Sequence, residues 1–535
     1  MLQTRTPQAS RESSSGRRVR VRGLALCLAL ASTVTPLWAQ GVGASAARLA
    51  EVPGQVAARV QPGQLTKTPT LMAVLRSVDR HYPPLGAAEA KRAAAQGYAQ
   101  SARGAFDLKL KGKAEHAPLG KYDQTYLSFE ARQPTPYWGT ELYTGYRMGD
   151  DFPIYGAKGV TSGGGELALG VSIPLLQDSR IDEARLGIGL GDLQVERASA
   201  ALRGKRIGAL EDASRAYWKW LAAARKVVIA ESLVGLAEQR AAALDAQIEV
   251  GALATIERVD NTRLLASRRE KLVEARLAKD LAAVKLSLFY RDASGHPSIP
   301  KVNQLLALPD PPTPGAGQLE VAMRLSEGQR PELIELGVLR ESARQRLKWL
   351  NNQQLPRLDF SAELSKDIGA ERSYAPFAST TNATELHGAV TLSVPVQRRK
   401  ARGKATALRA TARAVELELR YQRDAIEVEV RQAWLEFDAA LAASALARIA
   451  ASGAETMATT EREQLGIGQS NILTVNLREE AAAGAQEKVI ETTLGVFWAL
   501  ARLRAAVGID DPDQLANFES VLGRSRGSAG VNRVD

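Results

Sequence analysis

The 535-residue sequence predicts a mixed α and β fold, mainly α, in which two structural repeats each join short strands to very long antiparallel coiled-coil helices. Three observations predict it. A series of short motifs occurs twice, in the same order and at a nearly constant offset. Two stretches without proline are far longer than a globular domain uses, and several short segments alternate apolar and polar residues with period two.

The elements follow in chain order. Arg17, Arg18, Arg20 and Arg22 precede the apolar run 23–31, and Pro36-Leu37-Trp38-Ala39 follows it. That order is a secretory signal peptide over 1–39, with cleavage after Ala39. A lipoprotein reading would place a lipid on Cys27, the one cysteine, yet the Leu26 before it is bulky where a small residue is wanted. Cut after Ala39, the mature chain has no thiol and must hold itself together by packing and assembly. Six arginines and one glutamate of the leader account for +5 of the net charge of +11. The remaining +6, spread over a long chain of mixed charge, is no nucleic-acid footprint. Residues 40–67 form an extended lead-in.

Repeat one covers 68–293. It predicts a helix, strands within 105–175, and a long helical hairpin over 178–291 with its tip near 251. Residues 294–329 link to repeat two, 330–508, which predicts a helix, strands over 356–396, and a hairpin over 398–507 with its tip near 468. Val171-Ser172-Ile173-Pro174 recurs as Leu392-Ser393-Val394-Pro395, Trp218 as Trp434 and Gly251 as Gly468, at offsets of 221, 216 and 217. An upstream pair, Pro83 and Pro331, is offset by 248, so repeat one carries an insertion, placed at 122–155. The tail, 509–535, is expected to be disordered, being rich in Gly, Ser and Arg toward its end.

In the strands Phe106, Leu108 and Leu110 alternate with Asp107, Lys109 and Lys111, and Leu167, Leu169, Val171 and Ile173 with smaller or polar residues. Leu358, Phe360, Ala362 and Leu364 do likewise in repeat two, as do Leu386, Val390 and Leu392. Each strand therefore has one apolar and one wet face. No later segment has the ~18 apolar residues of a membrane helix, so a membrane crossing requires strands closed into a barrel. Nine of the 28 aromatic residues fall within 122–155. Of these Tyr126, Tyr137, Trp138, Tyr143 and Tyr146 are expected at a membrane interface, where amphipathic rings gather beside strands; the alternative is a local hydrophobic cluster.

At 1.5 Å per residue, 178–250 makes roughly 100 Å of helix. Its seams are rich in alanine, as at 222–224, 241–243 and 481–483, which lets helices approach closely. A narrow layer of that kind can curve into a tube.

The chain resembles the TolC family of outer-membrane efflux proteins. The resemblance rests on the two strand-ending motifs, on Arg215-Ala216-Tyr217-Trp218 and Arg431-Gln432-Ala433-Trp434, on Val250-Gly251 and Ile467-Gly468 with the residues after them, and on Arg330-Pro331-Glu332-Leu333. It runs from about Thr68 to Gly508. It implies a homotrimer whose helices form an α-barrel tunnel through the periplasm. Its strands, conventionally four per protomer and twelve in all, would make one shared outer-membrane β-barrel in outer-membrane lipid. It further implies docking onto a periplasmic adaptor and an inner-membrane transporter. The insertion in repeat one leaves room for a further hairpin.

The resemblance directs attention to the tips. Glu257 and Asp260, with Asn476 of repeat two, are the pore-constriction candidates; an ordinary solvated first helical turn is the other reading of the two acids. Val250, Gly251, Ile467 and Gly468 are candidates for adaptor docking, and Arg215 and Arg431 for inter-helix ion pairs. Cofactors are not expected: His81, His116, His296 and His387 lack ligand spacing, and no nucleophile or phosphate-binding motif occurs. The expected function is a passive exit duct of a tripartite efflux pump. A type I protein-secretion duct and a poreless periplasmic coiled-coil scaffold are the alternatives.

Overall fold

The computed structural model describes residues 68–119, 124–150, 161–251, 254–302, 309, 317–370 and 384–516. The leader, Cys27, the lead-in and residues 517–535 of the tail lie outside them. Helices α1 (Leu71–His81) and α2 (Pro83–Arg103) precede strands β1 (Lys109–Ala117), β2 (Gln124–Pro134), β3 (Glu141–Asp150) and β4 (Glu166–Pro174). Helix α3 (Glu183–Glu249) and α4 (Thr255–Leu286) form the first hairpin. Then come α5 (Gln318–Gln329), α6 (Pro331–Asn352), β5 (Arg357–Asp367) and β6 (Thr384–Ser393). The second hairpin, α7 (Arg399–Gly466) and α8 (Ile472–Val507), and a short α9 (Pro512–Ala516) complete the described elements.

Among the described residues six strands form one antiparallel sheet in the order β1-β2-β3-β4-β5-β6. The insertion supplies β2 and β3, paired along their lengths with β1 and β4. β1 begins at Lys109 rather than near 105, because Gly104–Phe106 closes a 3₁₀ turn that continues α2. Phe106 and Leu108 thus fall outside the strand.

Each repeat leaves the sheet through a residue in the left-handed region, Asp178 (φ 66°) in repeat one and Arg398 (φ 51°) in repeat two. α3 starts at Glu183 rather than 178. Asp182 is its N-cap and accepts the Arg185 N–H at 2.7 Å. At 67 and 68 residues, α3 and α7 are each about 100 Å long. Both end at a glycine with positive φ, Gly251 (74°) and Gly468 (76°), the conformation that a helix C-terminus favours.

The core lies midway along α3 and α7, where α1, α5 and the C-terminal ends of α4 and α8 meet them. Trp218 of α3 stacks on Phe497 of α8 with ring centroids 3.9 Å apart, and Trp220, Leu221, Val430 and Ala433 are fully enclosed around it. Burial pushes the Tyr217 phenol up to about 12, so it stays neutral. Away from this belt the seams narrow to Ala222, Ala230, Ala237, Ala482 and Ala483, each buried. Arg330 explains the motif that opens repeat two. It is buried, donates to the Ala506 carbonyl at 3.0 Å, and pairs with Glu332 and Glu429, each at 3.0 Å.

Residues 509–516 depart from the expected disordered tail. Ile509 is buried in the core, Asp510 pairs with Arg203 at 3.2 Å, and α9 is tied to α1 by Asp513 and Arg76 at 3.1 Å. An apolar anchor and two ion pairs order this stretch, ahead of the Gly- and Ser-rich end.

Candidate functional site: the two-faced sheet and the hairpin tips

Cross-strand register assigns every strand residue to a face. One face carries Leu110, Leu127, Phe129, Leu142, Leu167, Leu169, Phe360, Leu364, Leu386, Val390 and Leu392. Among the described residues nothing covers it: Leu110 is 78 % exposed and Leu386 75 %. The other face carries Lys109, Lys111, Lys113, Glu130, Arg132, Glu141, Arg147, Glu166, Asp359, Glu363, Asp367 and Glu385. Its charges pair across strands. Arg147 donates to Glu166 at 2.5 Å and approaches Glu363 to 3.3 Å, and Arg132 donates to Glu141 at 2.6 Å. A sheet with a bare apolar face and a paired, charged opposite face is the inverse of a soluble sandwich.

The same register divides the aromatic residues between the two faces. Tyr126 and Tyr143 point to the charged face, not the apolar one. Tyr143 lies over Gly170, where an added Cβ would come within 2.2 Å of its ring, and its hydroxyl donates to Glu363 at 3.0 Å. Tyr126 has the Lys113 ammonium 5.7 Å from its ring centroid. Period two is the reason: Tyr126 is an odd number of residues from Phe129, and Tyr143 is next to Leu142, so each faces away from its apolar neighbour. Tyr146 is on the apolar face and donates back to the Gly164 carbonyl at 2.8 Å. Tyr137 and Trp138 are exposed in the β2–β3 turn, at the end of the sheet from which the helices leave.

At the opposite end of α3 the tips present Val250, Ile256, Val259, Ile467, Leu473 and Leu477, all exposed. Glu257 and Asp260 occupy the first turns of α4 and are partly exposed, and Asp260 accepts from Arg263 of its own helix at 2.9 Å. Asn476 is placed differently. It is buried between helices, and its Oδ1 accepts from Arg240.

That contact belongs to a charged cluster that sequence reasoning missed. The Glu479 side chain, 1 % exposed, accepts from Arg240 of α3 at 2.7 Å and from Arg268 of α4 at 3.1 Å, with Arg462 of α7 at 4.0 Å. Arg268 also donates to the Leu233 carbonyl at 2.9 Å. One carboxylate thus ties all four helices of the two hairpins, about 14 Å from the end of α3. The sequence does not single it out, since Glu479 is one of two adjacent glutamates ahead of the alanine run 481–483.

Among the described residues Arg215 and Arg431 pair within their own helices and not, as expected, between helices. Each pairs four residues back on its own helix, with Glu211 at 3.6 Å and Glu427 at 2.8 Å, because that spacing brings both groups onto one face. Arg215 still reaches α8 by lying over the Trp498 ring, 5.5 Å from its centroid. Ion pairs between helices are made instead by Lys226 with Glu491, Arg276 with Glu231, and Lys271 with Glu480. Their lysines hold the Glu491 and Glu480 carboxyls below the usual carboxylate range.

The chain has the fold of solved outer-membrane channels, the one the TolC resemblance implies. The open state of the Neisseria gonorrhoeae MtrE outer membrane channel matches over 83 % of this chain and 89 % of its own, with TM-score 0.58 and 13 % identity. The Vibrio cholerae outer membrane protein VceC matches over 82 % and 96 %, with TM-score 0.57 and 16 % identity. The Campylobacter jejuni CmeC outer membrane channel matches over 88 % and 97 %, with TM-score 0.55 and 12 % identity. No protein-family model and no curated protein matches the chain.

Proposed function

We propose that this chain is an outer-membrane channel of the TolC type, assembling as a homotrimer into the passive exit duct of a tripartite efflux pump. The observation that carries the reading is the two-faced sheet. An uncovered apolar face suits lipid and a charged face suits a water-filled lumen, and both continue into helices about 100 Å long. Six strands are too few to enclose a lumen unaided, so several copies must pool them.

Assembly is also favoured by apolar residues left bare on the helices. Val273, Leu277, Leu281 and Val284 make a stripe along α4, and Tyr421, Val428 and Leu435 repeat every seven residues along α7. Neighbouring copies would bury them. The exposed apolar residues at the tips suit docking by a periplasmic adaptor, which would hand substrate on from an inner-membrane transporter. Glu257 and Asp260 lie in the first turns of α4, just past the tip of the first hairpin, and would form the ring that narrows the duct.

The test is single-channel conductance of the detergent-purified full chain in a planar bilayer, wild type against a Glu257→Ala/Asp260→Ala double variant. A small cation-preferring current that grows or loses selectivity in the variant supports both duct and acidic ring. An unchanged current removes the ring from these residues and keeps the duct. Folded, oligomeric protein that never conducts, in wild type and variant, overturns the duct.

A further inference from the structure

We propose that the inserted hairpin β2–β3 is part of the barrel wall, so that three copies close an eighteen-stranded barrel of wider bore rather than a twelve-stranded one. The inference rests on the trimeric duct proposed above. It concerns what the insertion does once that duct forms.

Four observations place the hairpin in the wall. Its strands are 11 and 10 residues long, like the flanking strands of 9 to 11, and this is the length a tilted strand needs to cross a membrane. They hydrogen-bond into the sheet on both sides, β2 to β1 over nine residue pairs and β3 to β4 over seven. They keep the two-faced pattern without a slip. Leu127, Phe129, Ala131, Leu142 and Met148 continue the apolar face, and Ser128, Glu130, Arg132, Glu141 and Arg147 continue the charged one. A plug folded into the lumen or a loop lying over the rim has no reason to hold an apolar face in register with its neighbours.

The fourth observation is a clasp. Arg147 on β3 pairs with Glu166 on β4 and Glu363 on β5, and Tyr143 crosses Gly170 to donate to the same Glu363. The side chain at 170 must be absent for that ring to lie flat. The inserted strands are thereby bonded through β4 to the strand that repeat two supplies, as a wall strand would be.

Strand number sets the bore. With neighbouring strands about 4.8 Å apart and tilted about 40°, eighteen strands close at a diameter of ~36 Å and twelve at ~24 Å. The backbone ring then encloses roughly twice the cross-section. The wall so enlarged is polar on its inner face, so the gain suits bulky hydrophilic cargo at the membrane level.

Electron cryomicroscopy of the full chain in nanodiscs tests this directly. The expected map shows a trimer with six strands per copy and a barrel near 36 Å wide. A trimer with four wall strands per copy, and residues 124–150 outside the wall or within the lumen, overturns the inference and leaves the duct standing. A protein that forms no ring of copies overturns the duct itself and the inference with it. A variant lacking residues 124–150 brings β1 directly beside β4 and is expected to narrow the barrel by about a third. A folded variant of unchanged width overturns the inference; if the variant does not fold, the strand count of the wild type decides.

Discussion

Glu479 shows how much one side chain can hold. Its carboxylate is enclosed and answers two guanidiniums that are themselves nearly buried, Arg268 at 5 % exposure and Arg240 at 11 %. Removing one partner of such a set leaves buried charge uncompensated, which costs about 3–5 kcal/mol. Glu479→Gln is therefore expected to loosen all four helices near the tips, seen as faster proteolysis there and a lower denaturant midpoint; unchanged values of both would show the cluster to be solvated. Asp178 gives the opposite electrostatic sign. Burial raises its carboxyl above the ordinary range, although Gln353 donates to it at 2.7 Å. A raised folded-state value means that stability is greatest below the unfolded value of about 3.9 and falls as pH rises to the folded one. Asp178→Asn keeps the acceptor and tolerates positive φ. It should abolish that segment of the stability–pH curve, measured as melting temperature between pH 3 and 7 beside the wild type. Neither residue stood out in the sequence. A buried glutamate and a solvated one are written alike, and the partners of Glu479 lie 17 to 239 positions away.

Elements were the most legible scale, because their periods are written locally. The glycine-terminated helices, the strand alternation and the duplicated order of parts are all legible in the sequence. Boundaries were less so: α3 waits for its cap at Asp182, and α2 runs on through a turn at Gly104. Which face an aromatic takes was legible in principle, since counting from Leu142 turns Tyr143 inward. The alanine seams make a sharper point about packing. Ala237 and Ala433 are wholly enclosed, so neighbouring helices approach over a methyl group. Enlarging such a site forces the helices apart at a cost of about 1–3 kcal/mol. Ala237→Leu should lower the thermal midpoint, whereas leucine at the exposed Ala242 should leave it within experimental error. Equal losses at the two positions would mean that the seam is not close-packed.

For the whole molecule, the decisive quantity is which side of the sheet meets lipid. A soluble sandwich and a membrane wall share the same alternation, and strand periodicity by itself does not separate them. What separates them is that, among the described residues, none covers the apolar face, while on the opposite face Arg132 and Arg147 pair with Glu141, Glu166 and Glu363 across strands. Two adjacent residues of β6 convert this into a measurement. Val390 is on the apolar face, paired with Phe360, and Ala389 on the charged face, paired with Ser361. An arginine facing lipid near mid-membrane costs about 2–4 kcal/mol, and one facing a watery lumen costs little. Val390→Arg is therefore expected to lower the yield of folded, membrane-inserted protein in vesicles by about one and a half to three orders of magnitude relative to Ala389→Arg. The reverse order would place lipid on the charged face. Equal tolerance of both would mean that neither face meets lipid, and the sheet would then belong to a periplasmic scaffold rather than to a duct.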